Sequence, residues 1–378
     1  MDVSTASLLM WKEKMFKVTH QWNKLKTCVV GSAYPPELFE FIKDIKLRTT
    51  FEKLAIETEE DIITLVNFLK SFGIDVVRPT MPKMFDEFKI ADGYIAPPIS
   101  ARDFMAMVDE KLYYPGLPNV NHAWMEFTGK HKLNPNEELD AHSREHWLEF
   151  QKQDKYIFDK KVSFYKDIFT LALQQGNEVV ASPIDYMNSS FITRLGDKMI
   201  VGTQNYYDDH DSIKKTFAKI FPSKDIHIAS SEGYSDGCFT PITEGLVISA
   251  YDAVDYKATF PNAEVITVPP EITLKDDKFK QQILTAEHKW FLEGMEHNRD
   301  LVDMVDYYFN TWIGDVNETA FMVNILMLDQ KNALCSTDNQ QVREAMKRHG
   351  VELHVTPFRH RWFWDTGIHC LTQDLDRE

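Results

Sequence analysis

Four cysteines, Cys28, Cys238, Cys335 and Cys370, are scattered along the chain with no CxxC pair. That spacing builds neither a disulfide framework nor a zinc site, so free thiols in a reducing compartment are expected. A free cysteine is by default a small buried hydrophobe, and it becomes a nucleophile only where its surroundings favour the thiolate. Cys370 follows His369, and other reactive residue types recur in short polar loops: Arg102-Asp103, Asn188-Ser189-Ser190, Tyr234-Ser235-Asp236 and Asn317-Glu318. If these loops share one mouth, a thiol, several carboxylates and hydroxyls converge there. Other chemistries are weaker. There is no HExxH, and His142 and His146 flank Glu145 on a charged stretch that a solvated helix face explains before a metal does, so no metal site is expected. There is no GxGxxG or phosphate loop, and YSDG at 234–237 is not a nucleophile elbow. The aromatic run RHRWFWD at 359–365 reads as packing for the wall of the Cys370 loop.

The elements that must position these residues announce themselves as a repeat. An acidic residue opens a short β-branched strand that closes in Pro or Ser: GIDVVRP at Asp75, GNEVVASP at Glu178, SKDIHIAS at Asp225, NAEVITVPP at Glu264 and GVELHVTP at Glu352. Each follows a stretch with helical periodicity, such as 51–72 or 339–349, in which apolar residues recur three or four apart. Before each helix stands a more hydrophobic run: TCVVG (27–31), FMAMV (104–108), KMIVG (198–202), LVISA (246–250) and NILML (324–328). The unit is therefore strand, helix, strand, and neighbouring units are expected to bury one another's apolar faces. The acid-led strands should all run the same way and deliver their loops to one side.

Length alone, at 378 residues, suggests two or three domains, but no Pro/Gly/Ser-rich linker divides the chain. One α/β domain over 1–378 is expected, with a charged helical insertion at about 109–170 entered through Pro135. The 42 Lys+Arg against 58 Asp+Glu give a net charge of −16, which repels phosphate backbones and argues against nucleic acid. No segment is long and apolar enough to span a membrane, and MDVSTASLLMWKEKMF does not read as a secretory signal. A cytoplasmic protein is expected.

These loops, in this order, resemble the arginine:glycine amidinotransferase family of the guanidino-modifying superfamily. HQWNKLKTCVVGSAY is similar to the family's opening strand, SARD at 100–103 to its first carboxylate loop, and DGCFTPITEGLVIS at 236–249 to the strand after its His-x-Asp motif. NILMLDQK and the segment from Arg359 to GIHCLT match its last two motifs. The resemblance implies a five-unit, pseudo-symmetric α/β propeller (pentein-like) and transfer of an amidino group from an arginine-like donor to an amine acceptor, with no cofactor. It makes Cys370 the nucleophile, because a charge-delocalised guanidinium yields only to a soft thiolate, and assigns Asp103 and Asp236 to the guanidinium, with Ser190, Asn317 and Arg359 lining the substrate.

The departures are as informative. The family's catalytic histidine is Tyr234 here, and the carboxylate that orients it falls at or beside Ser190. The substrate-gripping arginine aligns with Ala253, and a serine pair becomes Asn317 and Glu318. Tyr234 and Glu318 are then the expected acid-base groups, while His369, next to Cys370 on an expected strand, should face away and be structural. With an arginine lost and a glutamate gained, a cationic acceptor such as a diamine suits the pocket better than glycine. The alternative is a hydrolytic or catalytically silent relative that binds a small guanidino or cationic ligand or a protein partner, and a homodimer is one assembly such a chain could form.

Overall fold

A computed structural model describes residues 15–81, 88–90, 93–116, 127–128, 131–133, 139–182, 184, 187–203, 209–231, 234–250, 257–269 and 321–378. Asn317, Glu318 and Ala253 lie outside the described residues. The described residues contain five three-stranded sheets, each with a central strand paired antiparallel on one side and parallel on the other.

In the first sheet β1 (Leu25–Val30) is central and β2 (Asp75–Val77) lies parallel to it. A small hairpin, β3 (Lys89–Ile90) and β4 (Gly93–Tyr94), follows. The second sheet is β5 (Ala106–Val108), β6 (Lys111–Pro115) and β7 (Glu178–Ser182), and the third is β8 (Ile192–Leu195), β9 (Lys198–Thr203) and β10 (Asp225–Ser230). The fourth is β11 (Phe239–Thr243), β12 (Leu246–Ser249) and β13 (Glu264–Thr267); the fifth is β14 (Leu326–Met327), β15 (Asn332–Cys335) and β16 (Glu352–Val355). Last, β17 (Thr372–Arg377) returns to pair antiparallel with β1, so the two ends of the described chain share one sheet.

Local chemistry explains the unit. A short turn suffices for the antiparallel step, whereas the parallel step needs a crossover, which helices supply. These are α1 (Ile45–Ser71) before β2, α2 (Ala141–Ser163) and α3 (Lys166–Gln174) before β7, α4 (His210–Ile220) before β10 and α5 (Gln340–Arg348) before β16. Asp44, Asp140, Asp209 and Asn339 cap four of them, accepting from Lys46 N at 2.8 Å, Ser143 N at 2.7 Å, Ser212 N at 3.0 Å and Val342 N at 3.0 Å. Gly73 and Gly350, at φ 73° and 75°, end α1 and α5 in the left-handed conformation and turn the chain into the outer strand.

The acidic residues that mark the repeat open β2, β7, β10, β13 and β16, the outer strand of every sheet. Those strands are half-exposed while β5, β8 and β12 are buried throughout, and a charge at the start of an edge strand discourages further pairing. The expected two-strand unit is nevertheless incomplete. In the second and fifth sheets the apolar runs 104–108 and 324–328 contribute the first strands, β5 and β14, while the parallel partners of the outer strands are β6 and β15. Both strand types are buried, so apolarity could not tell them apart. The stretch assigned to an insertion changes accordingly: β6 is a sheet's central strand, and α3, which buries Ile168 and Ala172, is that unit's crossover helix. Only α2, a charged helix with no buried residue, fits the expected solvated addition.

Candidate active site

One residue stands in the same place before the first strand of every sheet. Asp103 lies in the 3-10 turn Ala101–Phe104 before β5, and Ser190 two residues before β8. Asp236 lies in the helical turn Ser235–Cys238 before β11, Asn324 two residues before β14, and Cys370 in the turn Ile368–Leu371 before β17. Hydrogen bonds join these residues into one continuous network.

Asn324 is its hub. Its side-chain oxygen accepts from the backbone N–H groups of His369 at 2.7 Å and Cys370 at 3.1 Å, and its amide nitrogen donates to Cys370 Sγ at 2.9 Å. Gly367 makes this possible, because a Cβ there would lie 2.3 Å from the Asn324 oxygen. Cys370 Sγ in turn donates to Asp236 Oδ2 at 3.3 Å, and His369 Nδ1 meets the same oxygen at 2.9 Å. Asp236 Oδ1 is buried with no hydrogen-bond partner among the described residues, an acceptor ready for an incoming N–H. The backbone oxygen of Ser190 accepts from Asp236 N at 3.2 Å and Ser235 Oγ at 2.7 Å, and the Ser190 hydroxyl donates to Asp103 Oδ1. Ser190 thus ties the two carboxylate loops together.

Behind the thiol lies a buried charge cluster. On β17, Asp374 receives Arg194 Nη2 at 2.8 and 3.0 Å, Arg377 Nε at 2.7 Å and Arg102 Nη2 at 3.4 Å, and all four residues are at most 4% exposed. Three guanidinium groups around one carboxylate hold the Asp374 carboxyl well below its ordinary range despite its burial. Arg102 also donates Nε to the His369 carbonyl at 2.7 Å, stitching the Asp103 loop to the Cys370 turn.

Burial pushes the Asp103 carboxyl up to about 7, with nearby Asp236 adding to the rise and the Ser190 hydrogen bond, Arg102 and Lys161 opposing it. His369 is pushed down to about 4, first by burial and then by Arg102, against the pull of Asp236. The imidazole is therefore neutral at pH 7, its Nδ1–H donating to Asp236. Cys28, by contrast, is buried and its thiol is pushed up to about 12, which leaves it inert.

His369 does not face away from Cys370. Residues 368–371 form a helical turn rather than a strand, so strand alternation does not apply and both side chains reach Asp236. Asn324, quoted above only as part of a strand motif, was legible as a site residue through its place in the repeat. Tyr234 immediately precedes the Asp236 turn and packs its ring on Phe191, centroids 4.9 Å apart. Arg359 is bound to α1: its backbone N–H and Nε meet Asp61 at 2.7 and 3.0 Å, and Nη2 reaches Glu60 at 2.7 Å. Its contacts are with that helix and not with the Cys370 network. Among the described residues no group of three His, Cys, Asp or Glu side chains is arranged to hold a metal, and no helix is long and apolar enough to cross a membrane.

No protein-family model matches the chain, and no curated protein sequence does. Solved structures do. An amidinotransferase of the saxitoxin biosynthetic pathway from Microseira wollei is 14% identical, with a TM-score of 0.59 over 96% of this chain and 97% of that one. The inosamine-phosphate amidinotransferase of Streptomyces griseus is also 14% identical, with a TM-score of 0.60 over 96% and 97%. The N-terminal domain of an arginine dihydrolase from cyanobacteria is 11% identical, with a TM-score of 0.50 over 93% and 98%. Over 96% of its length the chain is similar in its α/β fold to these two amidinotransferases.

Proposed function

We propose that the protein is a guanidino-modifying enzyme of the amidinotransferase type, with Cys370 as nucleophile and an arginine-like donor. The observation that carries this is the shared oxygen: Cys370 Sγ donates to Asp236 Oδ2 while Asn324 donates to the sulfur, so the thiol has both a proton acceptor and a group to stabilise its anion. The five sheets would stand as blades of a propeller in a single domain, bringing the residues before each first strand to its mouth. Asp103 and the Oδ1 of Asp236, unpartnered among the described residues, would hold the planar guanidinium by its edges and leave a face of its carbon open to sulfur. Attack forms the S–C bond, and breakage of the C–N bond releases an amine and leaves an amidino group on Cys370. An amine then takes that group and returns the thiol. Ala253 and Glu318 favour a cationic acceptor, such as a diamine, over glycine.

Arginine labelled at the guanidino carbon tests the reading. Incubated with the protein and a diamine, it should give a labelled guanidino derivative of the diamine, and little or none of glycine. Labelled urea or citrulline in place of that product would identify a hydrolase. No product under any condition, with arginine still bound, would identify a silent binder and overturn the proposal.

A further inference from the structure

Transfer of an amidino group requires a proton at the departing nitrogen, and the imidazole that supplies it in similar enzymes is Tyr234 here. Tyr234 lies against Phe191 in an apolar cluster, and His369 has its Nδ1 engaged by Asp236. Asp236 is already the proton acceptor of the thiol. Among the described residues the remaining titratable group in the network is Asp103. Its Oδ1 is fixed by the Ser190 hydroxyl, and Ser190 stands where an imidazole-orienting carboxylate is expected. Asp103 Oδ2 has no hydrogen-bond partner among the described residues and is not sealed from solvent.

We propose that Asp103 is the acid and base of the reaction, giving its proton to the leaving amine and recovering one from the acceptor, with Asp236 handling the thiol proton. The proposal rests on the guanidino-modifying reading above. Its balance closes. In the first half the S–H proton passes to Asp236, sulfur bonds to the guanidinium carbon, and the C–N bond breaks as Asp103 protonates the departing nitrogen. The enzyme then carries a cationic S-amidino group, a protonated Asp236 and an ionised Asp103. In the second half the acceptor N–H proton goes to Asp103 as the new C–N bond forms, the C–S bond breaks, and Asp236 returns its proton to sulfur. Each carboxylate so carries its own proton, Asp236 that of the thiol and Asp103 that of the leaving and entering amines.

Groups on every neighbouring element act on Asp103. Asp236 on the turn before β11 favours its protonated form, as does burial; Ser190 before β8, Arg102 beside it and Lys161 on α2 favour the carboxylate, and Tyr165 between α2 and α3 also faces it. The balance leaves the proton available near pH 7. Lysozyme-type tuning of a carboxyl by an apolar environment follows the same physics.

The test compares two donors in single-turnover labelling of Cys370. One is arginine; the other is its isothiourea analogue, with sulfur in place of the leaving nitrogen, which departs as a thiolate without a proton. Asp103→Asn should slow labelling by arginine about 100-fold or more, the usual worth of a general acid, and by the isothiourea less than about tenfold. Ser190→Ala, which removes a hydrogen bond that favours the carboxylate, should move the high-pH fall of the arginine reaction upward. Equal loss on both donors would overturn the proposal, as would a loss selective for arginine in Tyr234→Phe instead. If the wild-type protein labels with neither donor, the guanidino reading itself fails. Infrared difference spectra of wild type against Asp103→Asn still decide the proton: a protonated carboxyl that ionises near pH 7 retains that part, and one ionised throughout rejects it.

Discussion

At the scale of single residues, the site keeps its carboxylates under opposing pressures that stability measurements can read. Asp103 folds with its carboxyl raised to about 7. Between its unfolded value near 4 and that point the folded state holds a proton the unfolded state has lost, so stability falls as pH rises through the window. The slope from one proton is at most about 1.4 kcal/mol per pH unit. Asp103→Asn, which keeps the acceptor for Ser190, should therefore melt higher than wild type at pH 8 and equally at pH 4; a lower melting temperature at pH 8 would refute this. His369 works in the other direction, since its lowered value makes stability rise with pH between about 4 and 6.5. That Cys370, Asp103 and Asp236 fall in one network was legible because cysteine and aspartate stand out by type and because their loops resemble those of a known family. Asn324 declares nothing by type; its place before an apolar run of the repeat is its one signal in the sequence, and its four hydrogen bonds, to the Cys370 turn and to the Asp236 carbonyl at 3.4 Å, show what it holds.

At the scale of elements, the turn Ile368–Leu371 decides where the Cys370 side chain points. Strand periodicity predicts alternation across 369 and 370, but Gly367 and the Asn324 side chain instead hold a helical turn. Gly367→Ala should drive its Cβ into Asn324, release the turn and cut Cys370 alkylation or labelling by about tenfold or more while leaving most of the fold intact by circular dichroism. Unchanged Cys370 reactivity would show that the turn holds without Asn324. The acid-led outer strands were readable for a physical reason, since an edge strand's first residue faces solvent and tolerates charge. The central strands β6 and β15 were not, because KLYYP sits among charged residues and NALC beside an equally apolar run.

For the whole molecule, pairing of β17 with β1 makes the C-terminal strand both the lock of the first sheet and the carrier of Asp374. Sequence reading could not join Arg102, Arg194 and Arg377 to one carboxylate, since their convergence depends on which sheets become neighbours. Asp374→Asn would leave three buried guanidinium groups with no counter-charge, a change on the order of 3–5 kcal/mol and enough to unfold many domains. Near-normal expression and melting of that variant would show the cluster to be dispensable. The net charge of −16 thus conceals a buried cluster of three guanidinium groups around one carboxylate.

The central claim is that sulfur of Cys370 takes the amidino group, and peptide mass spectrometry reads it directly. The protein is mixed with arginine labelled at the guanidino carbon, quenched in acid within one turnover and digested. One labelled amidino group is expected on the peptide containing Cys370, absent in Cys370→Ala and discharged by a diamine before quenching. Label on another residue, or transfer that continues in Cys370→Ala, would contradict it.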